Sequence, residues 1–377
     1  MFRFLRIPKA PDRPVDLPFL IVTAILVIAG AFIFASASLG LLARPGGPSV
    51  SSVIYNQFLL GLVGGGIVCY LFSRIDARIF RKYAIPIFII GLITTTFVFI
   101  PGLGFEHGGA KRWIHIFGHS LQPAELLKFA AVVFYAALLT ETKGRIKTMR
   151  GGLLPLVIVI APIALILMFQ PDLGTFGIIT FALIGMFLVA GAKKRHLALI
   201  IGIGFCVLLL AIFTKPYAMD RIETLLDPTA DPRGSGYQII QSQNAIGAGG
   251  VYGRGFGQSL QKFRYLPEPM GDSIFAVAGE EFGLIGTLAL IMLYIIFASR
   301  GLSVARHAPD KFGGLVVVGI VILMVSQSFI NIASMVSLFP LTGVPLVFVS
   351  QGGTALATAL AEIGVILSIS RTKLQSA

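Results

Sequence analysis

Separate apolar runs of about 17–25 residues dominate this sequence, and each is long enough to cross a bilayer as one helix. Of the 377 residues, 56% are hydrophobic and only 12% are charged. Soluble globular domains carry about 25% charged residues. The pattern therefore excludes a soluble enzyme, a disordered chain and a disulfide scaffold. It also excludes an outer-membrane barrel, because the strands of such a barrel alternate in hydrophobicity.

The runs predict an all-α, polytopic membrane protein with about ten transmembrane helices in a single membrane domain, residues 1–377. The predicted spans are residues 17–38, 55–72, 83–101, 121–140, 153–170, 176–192, 196–214, 273–299, 312–339 and 354–369. The ninth run is long, so it is expected to tilt or break. Four glycines in the second span, Gly61, Gly64, Gly65 and Gly66, indicate close packing against another helix.

Lysine and arginine residues mark every second connection between the runs, and the short opposite connections contain only Arg44, Lys111 and Arg112. Basic residues collect on the cytoplasmic side of membrane proteins. Both termini (residues 1–16 and 370–377) are therefore predicted to be cytoplasmic, and the large loop 215–271 extracytoplasmic. The net charge of +13 reflects this topology and does not indicate a nucleic-acid partner. No lysine follows a glycine, so the sequence has no Walker A motif for nucleotide binding.

Ionisable residues inside the apolar runs are the first functional candidates, because a charge at the centre of a bilayer costs about 2.5–3.5 kcal/mol on insertion scales. The predicted topology brings four of them to the outer leaflet, beside the basic pair Lys111 and Arg112: Glu125, Lys128, Asp172 and Asp272.

Each of these residues also has a structural interpretation. Glu125 and Lys128 are three residues apart and can form an ion pair that holds two helices together. Asp172 can cap the turn after Pro171, and Asp272 can be an N-cap. Glu280 can be a protonated, hydrogen-bonded carboxyl group. The functional alternative for Asp272 is a general base, which suits a transfer reaction with a good leaving group.

Histidine residues do not form an evident metal site. His107, His115 and His119 share the third connection, where a solvated or interfacial role is expected. We predict no metal-ligating residues and no required cofactor.

Several motifs resemble those of the SEDS family (shape, elongation, division and sporulation), which includes FtsW and RodA. Residues 109–114 resemble GARRWI, 122–128 resemble QPSELxK, 170–175 resemble QPDLGT, 231–238 fit DPxGSGYQ and 265–272 fit YLPExxxD. The stretches 279–281, 340–346 and 350–353 complete the set. Together, in this order, they extend over almost the whole chain.

The sequence departs from the family pattern at two places. Where family members commonly have HTDF, this chain has Met270-Gly271-Asp272-Ser273. Where they have SYGGSS, this chain has Ser350-Gln351-Gly352-Gly353-Thr354. The aspartate is retained.

The resemblance implies an inverting peptidoglycan glycosyltransferase that polymerises lipid II, a disaccharide peptide on undecaprenyl diphosphate. By this resemblance Asp272 is the catalytic base, and Glu125 orients Lys128. The candidates for binding the diphosphate are the cationic residues Lys128, Lys111, Arg112 and Arg233. Asp172 and Glu280 complete the substrate-binding candidates. A divalent cation, Mg²⁺ or Mn²⁺, can assist at the diphosphate, although the sequence has no dedicated ligand set.

The resemblance also implies a place and a partner. The protein is expected in the bacterial cytoplasmic (inner) membrane, with a class B penicillin-binding protein, a transpeptidase, as its partner. Residues 258–262 and 369–371 are closer to FtsW than to RodA, which favours cell division over elongation.

Two other functions stay open at this point. A lipid II flippase would use a polar cavity with Glu125, Lys128, Asp172 and Glu362. A non-catalytic scaffold would recruit the transpeptidase and would not need Asp272.

Overall fold

The computed structural model of the protein describes residues 14–44, 49–107, 110–116, 119–142, 145–193, 195–202, 204, 213 and 216–371. Among these residues, seven helices are long and apolar enough to cross a membrane, and two further apolar helices are shorter. In chain order the helices are α1 (Leu17–Leu42), α2 (Val50–Arg74), α3 (Ala84–Phe99), α4 (Pro123–Glu141), α5 (Met149–Phe169), α6 (Leu173–Val189), α7 (Pro216–Leu226), α8 (Tyr237–Gly249), α9 (Ile274–Arg306), α10 (Lys311–Met335) and α11 (Gly353–Arg371). Short helical turns at Arg78–Lys82, Arg145–Lys147 and Gln261–Arg264 lie in the connections.

The predicted membrane-spanning helices agree with the structure in position. The seven long helices and the two shorter ones, α3 and α6, all fall on predicted spans. The remaining predicted span, 196–214, lies largely outside the described residues. The described residues 195–202, at its start, are helical. The total of ten spans and the cytoplasmic location of both termini stay predictions.

Two spans differ from the predicted bounds. The ninth run was expected to extend to residue 339, but α10 ends at Met335 and is followed by Ser337 with a φ of 59°. Pro340 and Pro345 have no backbone N–H to continue a helix. The eighth run continues beyond residue 299 to Arg306, and it is interrupted at Gly283, where φ is 64° and ψ is −163°.

A small β-sheet lies between α3 and α4, so the all-α prediction was wrong on this point. Strands β1 (Gly104–His107), β2 (Ala110–Ile116) and β3 (His119–Leu121) are antiparallel in the order β1-β2-β3. Ile114 on β2 is buried and Lys111 is exposed. Strands of three to seven residues leave no extended alternation in a sequence, so this pattern could not be recognised.

Three helices form the centre of the molecule. α4, α10 and α11 are largely buried, whereas α1, α2, α5 and α9 expose many apolar side chains. In a bilayer, helices with apolar outer surfaces face lipid, and polar residues are tolerated on the inner helices. Lys128, Gln327, Asn331 and Glu362 all lie on these three central helices and are buried.

The glycines of α2 explain how α2 approaches α11. A Cβ atom on Gly61 would lie 3.0 Å from the Cα atom of Gly353, and one on Gly65 would lie 2.8 Å from the Cα atom of Ala357. The predicted close packing is therefore confirmed for Gly61 and Gly65. Gly66 takes no part, because no heavy atom beyond its own helix lies within 4 Å of that position.

Candidate active site

Asp272 lies just before α9, after the segment that contains Pro267, Pro269 and Gly271. Ser273, and not Asp272, occupies the N-cap position of α9, so the structure does not support the alternative interpretation of Asp272 as an N-cap. The backbone carbonyl of Asp272 accepts a hydrogen bond of 2.9 Å from Nδ2 of Asn331 on α10. The aspartate is therefore fixed to the central helices through its backbone, and its side chain is half-buried.

The connection between α10 and α11, residues 336–352, packs against Asp272. Ser350 Oγ donates to the carbonyl of Gly271 (2.8 Å), and the amide of Gln351 donates to the carbonyl of Met270 (2.7 Å). Nδ2 of Asn331 also donates to the carbonyl of Val344 (2.9 Å). These contacts hold the connection and the Asp272 segment in one arrangement.

Gly343 brings Asp272 and Arg112 to the same gap. Its φ is 69°, a conformation in which glycine is favoured. The position of a Cβ atom on Gly343 lies 3.6 Å from Oδ2 of Asp272 and 3.5 Å from Nη1 of Arg112. A carboxylate oxygen and a guanidinium nitrogen therefore face one small space, which the missing Cβ leaves open.

Asp172 supports Arg112 from the other side. Its Oδ1 accepts from the amide of Thr175 and caps α6, so the predicted turn cap is confirmed. The same oxygen lies 3.8 Å from Nη1 of Arg112, whose Nη2 donates to the carbonyl of Pro171. Oδ2 of Asp172 is buried without a hydrogen-bond partner among the described residues. Asp172 thus positions the guanidinium and leaves one carboxylate oxygen unused.

Lys128 lies in a neighbouring pocket of the described structure. Its Nζ contacts both carboxylate oxygens of Glu125, at 2.8 Å and 2.7 Å, and it donates to Oε1 of Gln327 on α10. The ion pair that the spacing of Glu125 and Lys128 allows is confirmed, and it lies within α4. The hydrogen bond from Lys128 to Gln327 joins α4 to α10. The ammonium group of Lys128 is thereby committed to Glu125 and Gln327.

The pocket around Lys128 is small and partly open to the surroundings. Its polar lining includes the carboxyl group of Glu362, and its walls include residues of the 336–352 connection: Pro345, Leu346, Val347, Phe348, Ser350 and Gln351. The predicted outer cluster is therefore two adjacent groups, with this connection between them. One contains Asp272, Arg112 and Asp172, and the other contains Glu125, Lys128 and Glu362.

The structure places Glu280 away from both groups. Its carboxylate accepts from Ser259 Oγ and from the amides of Leu260 and Gln261, and it lies 3.2 Å from Nη1 of Arg254. Glu280 is buried with these contacts. The carboxylate thus holds the chain at residues 254–261, as in the hydrogen-bonded interpretation of Glu280, and its predicted role in substrate binding stays a prediction.

Lys111 and Arg233 are both exposed. Arg233 lies in a turn that Asp231 closes by accepting from the amides of Gly234 and Ser235. In the same loop, the hydroxyl group of Thr229 donates to Asp227 and holds the pKa of that carboxyl group below its ordinary value. α8 follows this turn, and Nε2 of Gln238 donates to Ser273 Oγ (3.0 Å), next to Asp272. The turn is thereby attached to the site.

Almost the whole chain matches one known protein family. Residues 16–375 match the family model of FtsW, RodA and SpoVE, described as cell cycle protein. The chain belongs to this family. Stage V sporulation protein E of Bacillus subtilis (strain 168) is 37% identical over 357 residues, 94% of this chain and 97% of that protein. A probable peptidoglycan glycosyltransferase FtsW of Trichlorobacter lovleyi is 35% identical over 373 residues, 97% of this chain and 96% of that protein.

Solved structures have the same fold. A chain from the study "Structural coordination of polymerization and crosslinking by a peptidoglycan synthase complex" matches with a TM-score of 0.77 and 26% identity, over 96% of this chain and 99% of that one. Thermus thermophilus RodA matches with a TM-score of 0.68 and 23% identity, over 96% of this chain and 98% of that one. The SEDS resemblance predicted from the motifs is confirmed.

Sequence reasoning about this family member missed three contributors to the site: Asn331, Gln327 and Gly343. Asn331 and Gln327 are four residues apart in the ninth predicted span, so they lie on one face of α10. That spacing was an available signal. The role of Gly343 depends on which residues lie beside it in space, and no local pattern indicates that.

Proposed function

We propose that this protein is a peptidoglycan glycosyltransferase that polymerises lipid II at the outer face of the bacterial cytoplasmic membrane. Relatives that are 35% and 38% identical over most of the chain are named probable peptidoglycan glycosyltransferases. The observation that carries the assignment of the site is the gap at Gly343, which both Asp272 and Arg112 border. A base and a cation at one position are what a transfer from a sugar diphosphate requires.

In the proposed reaction, the 4-hydroxyl group of the acceptor sugar attacks the anomeric carbon of the growing chain. The new C–O bond forms as the bond from the anomeric carbon to the diphosphate breaks, and the configuration inverts from α to β. Asp272 takes the proton of the hydroxyl group. Undecaprenyl diphosphate leaves with the electron pair of the broken bond, and a cationic group stabilises its charge.

Arg112 is the best-placed cation for the diphosphate, because it is held in the gap by Asp172 and Pro171. Exposed Lys111 on the same strand and Arg233 are further candidates. Lys128 contributes to the diphosphate only if a substrate displaces its contacts with Glu125 and Gln327. We therefore assign the Lys128 pocket to the polar head group of the lipid-linked substrate and the Arg112 gap to the reaction itself.

A divalent cation at the diphosphate has no preformed ligand set in the described part of the chain. No group of three or more His, Cys, Asp or Glu side chains there is arranged to hold a metal ion. Around the gap, the guanidinium of Arg112 already lies beside the two aspartates. No step of the proposed reaction passes through a metal ion.

The activity can be tested with purified protein and fluorescently labelled lipid II. Asp272→Asn keeps the size of the side chain and removes the base, so we expect wild-type protein to make glycan strands and the variant to make none. The matched control is Asp76→Asn. Asp76 precedes a short helical turn near Ser368, at the opposite end of α11 from Asp272, and it should not affect polymerisation.

Two further assays separate the alternatives. In a vesicle assay, a flippase would move labelled lipid II across the membrane, and neither the wild-type flippase nor its Asp272→Asn variant would form strands. A scaffold would leave Asp272→Asn able to complement a null strain. Wild-type protein without polymerase activity, or an equally active Asp272→Asn variant, would contradict the proposed function.

We further propose that the protein acts in cell division with a class B penicillin-binding protein. FtsW and stage V sporulation protein E are among its relatives, and a chain of a peptidoglycan synthase complex has its fold. A fluorescently tagged copy should localise at midcell and should co-purify with such a transpeptidase. Sidewall localisation would indicate elongation instead.

A further inference from the structure

Residues 249–264, here called the wedge segment, pack against the middle of α1. The rings of Phe256 and Phe32 have centroids 4.8 Å apart, and Nζ of Lys262 donates to Ser36 Oγ (2.8 Å). Phe32 lies ten residues before the last residue of α1 and fifteen after the first. At a rise of about 1.5 Å per residue, Phe32 is about 15 Å or more from both ends of the helix. Part of the wedge segment therefore lies at the depth of the bilayer.

At the interruption of α9, the wedge segment also contacts a second membrane helix. The carbonyls of Glu280 and Glu281, freed by the break at Gly283, accept from the amides of Arg254 (3.0 Å) and Gly255 (2.9 Å). Beyond the break, the amides of Leu284 and Ile285 donate to the carbonyls of residues 250 and 251, at 2.9 Å and 3.2 Å. The wedge segment thus supplies the hydrogen bonds that the helix lacks.

Two buried glutamates satisfy further polar groups of the wedge segment. Glu280 accepts from three of its residues and pairs with Arg254, and Glu281 pairs with Lys262, with Oε1 and Nζ 2.6 Å apart. Lys262 and Glu281 are both fully or almost fully buried. Non-helical backbone is tolerated at membrane depth only where its polar groups are satisfied inside the protein. The contacts with Glu280, Glu281 and α9 satisfy many polar groups of the wedge segment inside the protein.

The outer face of the wedge segment is apolar and exposed. Val251, Tyr252, Phe256 and Leu260 are exposed, with Tyr252 at 84% and Leu260 at 63%. This face continues directly into exposed apolar side chains of membrane helices: Phe32 on α1, and Leu284 and Ile285 on α9. Arg254 and Gln258 are exposed polar side chains in the same stretch, and the charge of Arg254 is balanced by Glu280.

We propose that the wedge segment is a re-entrant element of the membrane domain, and that Val251, Tyr252, Phe256 and Leu260 contact the acyl chains of the bilayer. This proposal differs from the predicted topology, in which all of residues 215–271 lie outside the membrane. It does not depend on the proposed enzymatic activity. The continuity of the exposed face with the lipid-facing sides of α1 and α9 identifies the occupant as lipid.

The first test uses spin labels in nanodiscs of phosphatidylethanolamine and phosphatidylglycerol. The chain has only two cysteines, Cys69 and Cys206, so a background with Cys69→Ser and Cys206→Ser gives single labelling sites. Labels are placed at Tyr252→Cys and Phe256→Cys. The lipid-facing control is Phe32→Cys, and the water-facing control is Arg233→Cys.

We expect the collision frequency with oxygen at positions 252 and 256 to be similar to that at position 32. We expect their collisions with a water-soluble nickel chelate to be several-fold fewer than at 233. Chelate accessibility at 252 and 256 equal to that at 233 would overturn the proposal.

A second measurement covers the case in which a cysteine variant fails to fold. The chain has one tryptophan, so Phe256→Trp in a Trp113→Phe background gives a single fluorophore. Lipids brominated on their acyl chains should quench its emission several-fold more strongly than a soluble quencher does, and the matched control Arg233→Trp should show the reverse. Absence of quenching by brominated lipid at 256 would contradict the proposal, whatever the polymerase activity.

Discussion

The side-chain amide of Asn331 on α10 donates a 2.9 Å hydrogen bond to the backbone carbonyl of Asp272, although 59 residues separate the two in the chain. The same nitrogen donates to the carbonyl of Val344. One buried side chain therefore fixes both the proposed base and the connection that contains Gly343. This relationship makes Asn331 a positioning residue.

Replacing Asn331 with leucine removes both hydrogen bonds and leaves two carbonyls without this donor. We expect Asn331→Leu to lower stability by about 1–3 kcal/mol, the penalty for unsatisfied buried polar groups. We expect kcat to fall by about 10²-fold, because small misplacements of reacting groups have that effect. Polymerisation kinetics and thermal unfolding measure the two effects. Asn56→Leu, which removes an exposed hydrogen bond within α2, is the control; an equal loss of kcat there would contradict the assignment.

Filling the gap between Asp272 and Arg112 should impair catalysis. Gly343→Ala would place a methyl group 3.6 Å from Oδ2 of Asp272 and 3.5 Å from Nη1 of Arg112. We expect a loss of activity of about 10²-fold, since the substrate must enter the same space. The measurement is the rate of strand formation at saturating lipid II.

Gly102→Ala is the matched control for this substitution. Its φ of 87° imposes a similar backbone strain, of about 1–3 kcal/mol, but no atom lies within 4 Å of the new methyl group. Both variants should lose similar thermal stability, and only Gly343→Ala should lose most of its activity. Equal activity in the two variants would show that the gap at Gly343 is not used.

The ion pair of Lys128 and Glu125 should show strong coupling in a double-mutant cycle. Lys128→Met leaves the half-buried carboxylate of Glu125 without its partner, and breaking a fully buried pair costs about 3–5 kcal/mol, which is the upper limit expected here. In the double variant Glu125→Gln/Lys128→Met, most of this stability should return. If Lys128 contacts the substrate head group, KM for lipid II should stay raised in the double variant. A double variant with normal stability and normal KM would assign Lys128 a structural role alone.

The interruption of α9 should tolerate only glycine at residue 283. A Cβ atom there would lie 2.3 Å from the amide nitrogen of Gly253 and 2.6 Å from the carbonyl oxygen of Val251. We expect Gly283→Ala to lower the midpoint of thermal unfolding markedly and to increase hydrogen exchange of the amides at residues 253–255 and 284–285.

Gly66→Ala on α2 provides the comparison, because nothing lies within 4 Å of the new methyl group. Within a helix, alanine is favoured over glycine by about 1 kcal/mol, so this variant should be neutral or slightly more stable. Increased exchange around residue 283 in both variants would mean that the effect is not local to the break.

The helices could be predicted from the sequence, but several of their interruptions could not. The apolar runs located the seven long helices, since a bilayer leaves few ways to satisfy a backbone other than a helix. The break at Gly283 was missed because the residues after it are apolar and continue the run. The three-stranded sheet was missed because its strands are too short to show a period.

The site was predictable in part. Residue type and cost of burial selected Glu125, Lys128, Asp172 and Asp272, and the structure places all four near the connection between α10 and α11. The same reasoning also selected Glu280, whose carboxylate instead holds the wedge segment. In a sequence, a glutamate whose carboxylate binds substrate cannot be distinguished from one whose carboxylate binds another part of its own chain.

The amino-acid sequence was sufficient to establish a polytopic helical membrane protein of the SEDS family, because hydrophobic length and ordered motifs are local properties of a chain. The tertiary structure decided which polar groups meet. It placed Asn331 on Asp272, Arg112 beside Asp172, and the gap of Gly343 between a carboxylate and a guanidinium. These contacts depend on how β2, α10 and the starts of α6 and α9 pack and on how the chain between α10 and α11 turns. Side-chain packing over such distances leaves no periodic trace in a sequence.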